Sequence, residues 1–231
     1  MNTNAIYIFP QSQIFTKQPD SEFIGIGNEE ISFLKSTLYL NLLDNVLQRK
    51  DKVDVFCFFD ENDKELLPDE YHSNDYKIFF ENLSDKNDVY DKLATKEFAA
   101  YKNNILIFSD VIDIRPAALD QYINLLSIDD ETILIAKSKE GVIGALGFNN
   151  LASNVFHELE KSDFNFDKLL SINNSCNQFI HIVNDVLIVR NISNFKQLYS
   201  ELSQKKSTEY CSQEMYERFT HLFIEYKDLL K

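Results

Sequence analysis

Tryptophan is absent from this 231-residue sequence, glycine occurs only 5 times, and cysteine 3 times. So few glycines, where ~7% is usual, leave little material for loops that cradle phosphate. Neither a Walker loop nor a Gly-x-Gly-x-x-Gly fingerprint occurs. Cys57, Cys176 and Cys211 are far apart, odd in number and form no Cys-x-x-Cys pair. That excludes a disulfide framework and points to free thiols in a reducing cytoplasm. Positive charge is also scarce: 23 Lys plus Arg stand against 37 Asp plus Glu, a net charge of -14, and four of the 23 are arginine. Such a balance repels a polyphosphate backbone, so no nucleic-acid partner is expected. No apolar run approaches the ~18 residues of a membrane span. The opening Met1-Asn2-Thr3-Asn4-Ala5-Ile6 lacks the basic and apolar regions of a signal peptide. The composition describes an acidic, cytoplasmic protein without a membrane span.

Apolar residues are plentiful, at 44%, with 19 Phe and 11 Tyr. A chain with that much apolar mass builds a core and is not disordered. Strand signals fall at Ala5–Phe9, Val53–Phe59, Tyr76–Phe80, Ile105–Phe108 and Thr132–Ala136, and again at Phe179–Val183 and Val186–Val189. Between them, 3.6-residue spacing predicts helices over 28–46, with Asn28 as N-cap, 89–101, 117–126, 152–160 and 166–171. Alternation of this kind means βαβ units and a mostly parallel sheet, an α/β fold. A last helix from about Ser207 to Leu230 carries Met215, Phe219, Leu222, Phe223 and Tyr226 on one face. The economical division is an α/β domain over 1–204 and a helical appendage over 205–231. The apolar stripe of that helix needs cover, from its own domain or from a second copy in a two-fold homodimer.

Chemistry-bearing candidates are few. The strand at 105–108 runs into Ser109-Asp110-Val111-Ile112-Asp113. In open α/β sheets, ligands sit at the carboxyl ends of strands, where Asp110 would serve a ligand or a divalent cation, or would cap the following loop. Three of the five glycines lie within Gly141–Gly147, a sign of close backbone approach or a bulge. The four histidines have no ligand spacing, Cys57 lies among phenylalanines as a core residue, and the run Asp60–Asp63 reads as a solvated turn bordering a strand end.

The order of these segments over residues 4–204 resembles the bacterial glycosyltransferase-A-like family of nucleotide-diphospho-sugar transferases, of the radical-SAM/selenodomain-associated type. Its Gly-Ser-Asp-x-Pro-x-Leu is matched by Phe108-Ser109-Asp110-Val111-Ile112-Asp113-Ile114, and its Asp-Gly-Gly-Tyr-Tyr-Leu-x-Gly by Glu140-Gly141-Val142-Ile143-Gly144-Ala145-Leu146-Gly147. Asp88–Leu93 resembles the family's Asp-Leu-Gly-Glu-Arg-Met, and Asn191–Leu198 its Asp-x-Asp-Thr-Pro-Glu-Asp-Leu. The resemblance implies a three-layer α/β/α glycosyltransferase-A fold and a nucleotide sugar as donor. It further implies a divalent metal, Mg or Mn, on Asp110 with Asp113 as second ligand. Ser109 and Gly141 would face the donor, and Glu140 would be the catalytic carboxylate on the acceptor side; Lys17, outside the family's motifs, is a candidate substitute phosphate contact.

The departures run in one direction. The phosphate-holding basic cluster is missing, both acids of the late motif are neutral as Asn191 and Ser193, and Val142 and Ile143 replace Gly and Tyr. Two functions follow as expectations: a glycosyltransferase with a degenerate site, or an inactive relative acting as a binding or assembly module.

Overall fold

A computed structural model describes residues 2–16, 19–176, 178–203 and 211–230. Strands β1 (Asn4–Phe9), β2 (Asp54–Asp60) and β4 (Asn103–Phe108) are buried almost end to end. Strands apolar on both faces need cover on both faces. One layer of cover is built around α1 (Asn28–Leu47), which packs on α3 (Pro116–Leu126) and α7 (Gln213–Glu225). The other joins α2 (Lys86–Thr95), α4 (Ser153–Glu160) and α5 (Phe166–Cys176).

With β3 (Lys77–Glu81), β6 (Thr132–Lys137), β7 (Ile143–Phe148) and β8 (Phe179–Asp185), these strands form a seven-stranded sheet in the order β3-β2-β1-β4-β7-β6-β8. Strand β1 is parallel to both β2 and β4, whereas β7 is antiparallel to both of its neighbours. The antiparallel β7 follows from its short connection to β6. Ser138–Gly141 is a four-residue turn closed by Gly141 N–H to the Ser138 carbonyl at 3.0 Å, and Gly141 has φ +86°. A second, two-stranded sheet pairs β5 (Val111–Ile112) with β9 (Leu187–Ile188).

Most aromatic residues lie in the core, though Phe179 at the start of β8 is exposed. Tyr7 stacks on Phe56 at 5.0 Å, Phe9 on Phe58 at 4.2 Å, and Phe58 on Phe79 at 5.1 Å, a ladder of rings across β1, β2 and β3. Pro116 stands at the first turn of α3, where its missing N–H costs nothing.

Several boundaries differ from the sequence expectation. The N-cap of α1 is Gly27, not Asn28. Helix α2 stops at Thr95, because Lys96 leaves helical geometry, and a 3-10 turn over Phe98–Ala100 completes the connection. A helix the pattern reading passed over, α6 (Ile192–Leu202), begins where Asn191 caps it by accepting the Asn194 N–H at 2.9 Å. Helix α7 is shorter than expected, starting after the Ser212 cap and ending at Glu225; residues 207–210 of the expected helix lie outside the described residues. Its stripe of Met215, Phe219, Leu222 and Phe223 is buried in cis, with the Phe223 ring 5.6 Å from Phe195 and 5.2 Å from Tyr199 on α6. The face that would have met a second copy is therefore covered by the chain itself.

Two glycines of the clustered three mark close approach. A Cβ on Gly144 would sit 2.7 Å from Cγ2 of Val111 and 3.0 Å from Cγ2 of Val186, both buried and stiff at χ1. Gly144→Ala is expected to cost about 1–3 kcal/mol by overpacking, read as a lower urea midpoint at unchanged m-value. An unchanged midpoint would mean that the small sheet yields freely.

Candidate functional site

The chain connections leave β1 and β4 in opposite directions along the sheet, so the carboxyl ends of these neighbouring strands open a crevice, the usual ligand position in open α/β sheets. There the ladder runs one residue beyond β4, with the Ser109 N–H on the Phe9 carbonyl at 2.8 Å. A cavity of about 210 Å³ sits at this point, lined by Pro10, Ser12, Lys35, Ser109, Asp110 and Arg190 among others.

Arg190 is the residue that the sequence reading missed. The β5–β9 ladder continues through Val189 N–H to the Asp110 carbonyl at 2.8 Å, which brings the next residue, Arg190, against the Asp110 carboxylate. Arg190 Nε donates to Asp110 Oδ2, and Nη1 donates to both oxygens of Asp163 at 2.9 Å each. The guanidinium also lies over the Phe108 ring, 5.9 Å from its centroid. Burial pushes the Asp110 carboxyl above its usual range, and Arg190 pulls against that shift. Arg190 stays charged despite its own burial, because Asp110 and Asp163 hold its pKa up. Two buried polar atoms of the pair have no partner among the described residues: Asp110 Oδ1 and Arg190 Nη2.

The Asp163 carboxylate is held by an uncommon backbone. Asp163 and Phe164 have φ +53° and +52°, the left-handed region where a bulky residue is out of place. Bonds from Phe164 N–H to the Leu159 carbonyl at 2.7 Å and from Asp163 N–H to Glu160 at 3.0 Å make this a Schellman end for α4. Glycine is the usual residue at such a position. Here an aspartate stands there, and its side chain grips Arg190.

The acidic run after β2 is not a solvated turn. Asp63 is fully buried and accepts the N–H groups of Ile14, Phe15 and Thr16 at 2.8, 2.9 and 3.1 Å. Asp60 takes Gln13 Nε2 at 3.1 Å and Leu83 N–H at 3.1 Å. These carboxylates fix the loop after β1 that forms one wall of the crevice. Lys35 of α1 reaches into the same wall, 2.9 Å from both Ser12 Oγ and Asp20 Oδ2.

The expected site residues divide among cavities. Ser109 and Asp110 line the crevice at β1 and β4. Asp113, at φ +76° and holding Arg115 Nε at 2.7 Å, lines a separate cavity of about 140 Å³ together with Glu140. Glu140 is exposed in the β6–β7 turn and also borders a third cavity, about 520 Å³, where it meets Arg190, Asn191 and Ser193. Gly141 is the left-handed residue of that turn with open space around it, so the turn itself accounts for the glycine. Lys17 lies outside the described residues. Among the described residues there is no group of three or more His, Cys, Asp or Glu arranged to hold a metal ion. Burial pushes the Cys57 thiol up to about 12, as suits a core residue. No described helix is long and apolar enough to cross a membrane.

No family model matches the chain and no curated protein does. Solved structures do. A provisionally named nucleotide-diphospho-sugar transferase from Desulfovibrio desulfuricans G20 is 15% identical over 100% of this chain and 97% of its own, with a TM-score of 0.72. A CMP:2-keto-3-deoxy-manno-octonic acid synthetase complexed with CTP is 10% identical over 88% of this chain and 100% of its own, TM-score 0.53. A protein from Mycobacterium tuberculosis H37Rv in complex with manganese is 12% identical over 86% and 98%, TM-score 0.51. At these identities the likeness establishes the fold: a three-layer α/β/α domain of the kind found in nucleotide-diphospho-sugar and cytidylyl transferases.

The crevice wall depends on Asp63. Asp63→Ala leaves three loop N–H groups without their acceptor and is expected to destabilise by about 3 kcal/mol, with Asp63→Asn milder because one acceptor oxygen remains. Thermal unfolding of the two variants measures this; equal melting temperatures for all three proteins would reject the anchoring role.

Proposed function

We propose that this chain is a nucleotide-diphospho-sugar-dependent transferase of the glycosyltransferase-A type, with the donor held in the crevice between the ends of β1 and β4. The observation that carries the reading is the meeting of two cavities at one cation. Arg190 lines both the crevice of Ser109 and Asp110 and the wider cavity of Glu140, and its buried Nη2 lacks a partner among the described residues. A donor's diphosphate would accept from Nη2, and an acceptor would enter from the Glu140 side. In transfer, an acceptor hydroxyl would attack the anomeric carbon as the bond to the diphosphate breaks. Glu140 would receive the hydroxyl proton, and the nucleoside diphosphate would leave against a positive charge.

The fold family implies a divalent metal on Asp110 with Asp113 beside it. The donor set does not fit that ion well. One Asp110 oxygen is taken by Arg190, and a guanidinium beside the carboxylate repels a second cation. Asp113 belongs to a different cavity and holds Arg115.

A second reading, a non-catalytic binding or assembly module, is favoured by one observation: Asp110 and Glu140 line no cavity in common. The two readings part on turnover. Thermal shift against the nucleoside diphosphates and their sugars, with EDTA and with Mn²⁺ or Mg²⁺, is expected to raise the melting temperature for at least one nucleotide. Release of nucleoside diphosphate from that sugar would then mark the transferase, and binding without release the module. No shift for any nucleotide under either condition overturns the transferase reading.

A further inference from the structure

We infer that Arg190 takes the place of a divalent cation in this crevice, so that a diphosphate binds without metal and Asp110 acts as a positioning residue for the guanidinium. This rests on the reading of the crevice as a donor site, and it deepens that reading by naming the group that meets the phosphates.

The two carboxylates on Arg190 are not equivalent. The Asp110 side chain is 11% exposed and that of Asp163 70% exposed. Asp110 holds Nε from inside the crevice, where it is locked by the β5–β9 ladder and cannot leave without exposing a buried cation. Asp163 holds Nη1 from the solvent side, where water screens the pair and its exchange for another anion costs little. An incoming phosphate thus finds Nη2 without a partner among the described residues and Nη1 behind a replaceable counter-ion. Together these present a planar fork suited to two oxygens of one phosphate. Asp163 serves as an internal substitute for the ligand, held in a left-handed backbone where glycine would ordinarily stand.

The experiment has two arms on the full chain. In the first, Mn²⁺ alone is titrated and followed by electron paramagnetic resonance. The wild type is expected to leave the free Mn²⁺ signal unchanged. Uptake of one Mn²⁺ that Asp110→Asn abolishes overturns the inference and leaves the donor-site reading standing. In the second, inorganic pyrophosphate is titrated calorimetrically in EDTA. Binding is expected without metal, weaker by roughly tenfold or more in Arg190→Gln, and partly kept in Arg190→Lys, which preserves the charge opposite Asp110. Asp163→Asn is expected to bind pyrophosphate several-fold tighter, since the competing charge is gone. A merely structural role for Asp163 would leave that affinity unchanged or lower it. Pyrophosphate binding that requires Mn²⁺, or its absence with and without metal, overturns the inference. The donor-site reading fails separately, if no nucleotide sugar shifts the melting temperature in either condition.

Discussion

The ion pair between Asp110 and Arg190 ties together parts of the chain that are 80 residues apart. Asp110 lies two residues beyond the strand at the centre of the large sheet, and Arg190 follows the last strand of the small one. Their pairing depends on the β5–β9 register, on the Phe108 ring beneath the guanidinium, and on Asp163 at the end of α4. Truncating one partner of a buried pair costs about 3–5 kcal/mol, because the other charge is left without compensation. The interaction therefore fixes the floor of the crevice as firmly as it sets its charge.

Negative charge elsewhere in the crevice has a structural use. Asp60 ends β2 and Asp63 follows it, yet their oxygens hold backbone N–H groups of the loop after β1 and of the turn after β3. A short acidic sequence thereby organises two distant loops around one wall, in a protein poor in the glycines that usually let loops turn on themselves. The same economy is seen at Glu140-Gly141, where the sole requirement for glycine comes from the left-handed residue of the β6–β7 turn.

Where the sequence reading fell short, a local signal had been put to another use. Asn191 and Ser193 were read as neutral remnants of an acidic motif, whereas Asn191 is the N-cap of α6, and Phe195, Leu198 and Leu202 are its buried face. The spacing of those three residues carries the helix signal. Arg190 stood directly before them, at the end of the Val186–Val189 strand signal, as one of four arginines in the chain. Nothing in its neighbours pointed to Asp110, because the two meet only through pairing of two-residue strands, too short to show a period.

The sequence by itself determined the α/β class, six of the seven strands of the main sheet to within two residues, the aromatic core and the position of Asp110 at a strand's carboxyl end. Each of these is written in local periodicity and apolar content, which burial enforces residue by residue. Only the tertiary structure decided that α7 covers itself against α1 and α6, that Asp113 and Glu140 face a different cavity from Asp110, and that the Arg190 guanidinium lies against the Asp110 carboxylate. Those outcomes depend on which segments a parallel sheet brings side by side. Contacts of that range leave no period in the chain, since they are set by strand order and register.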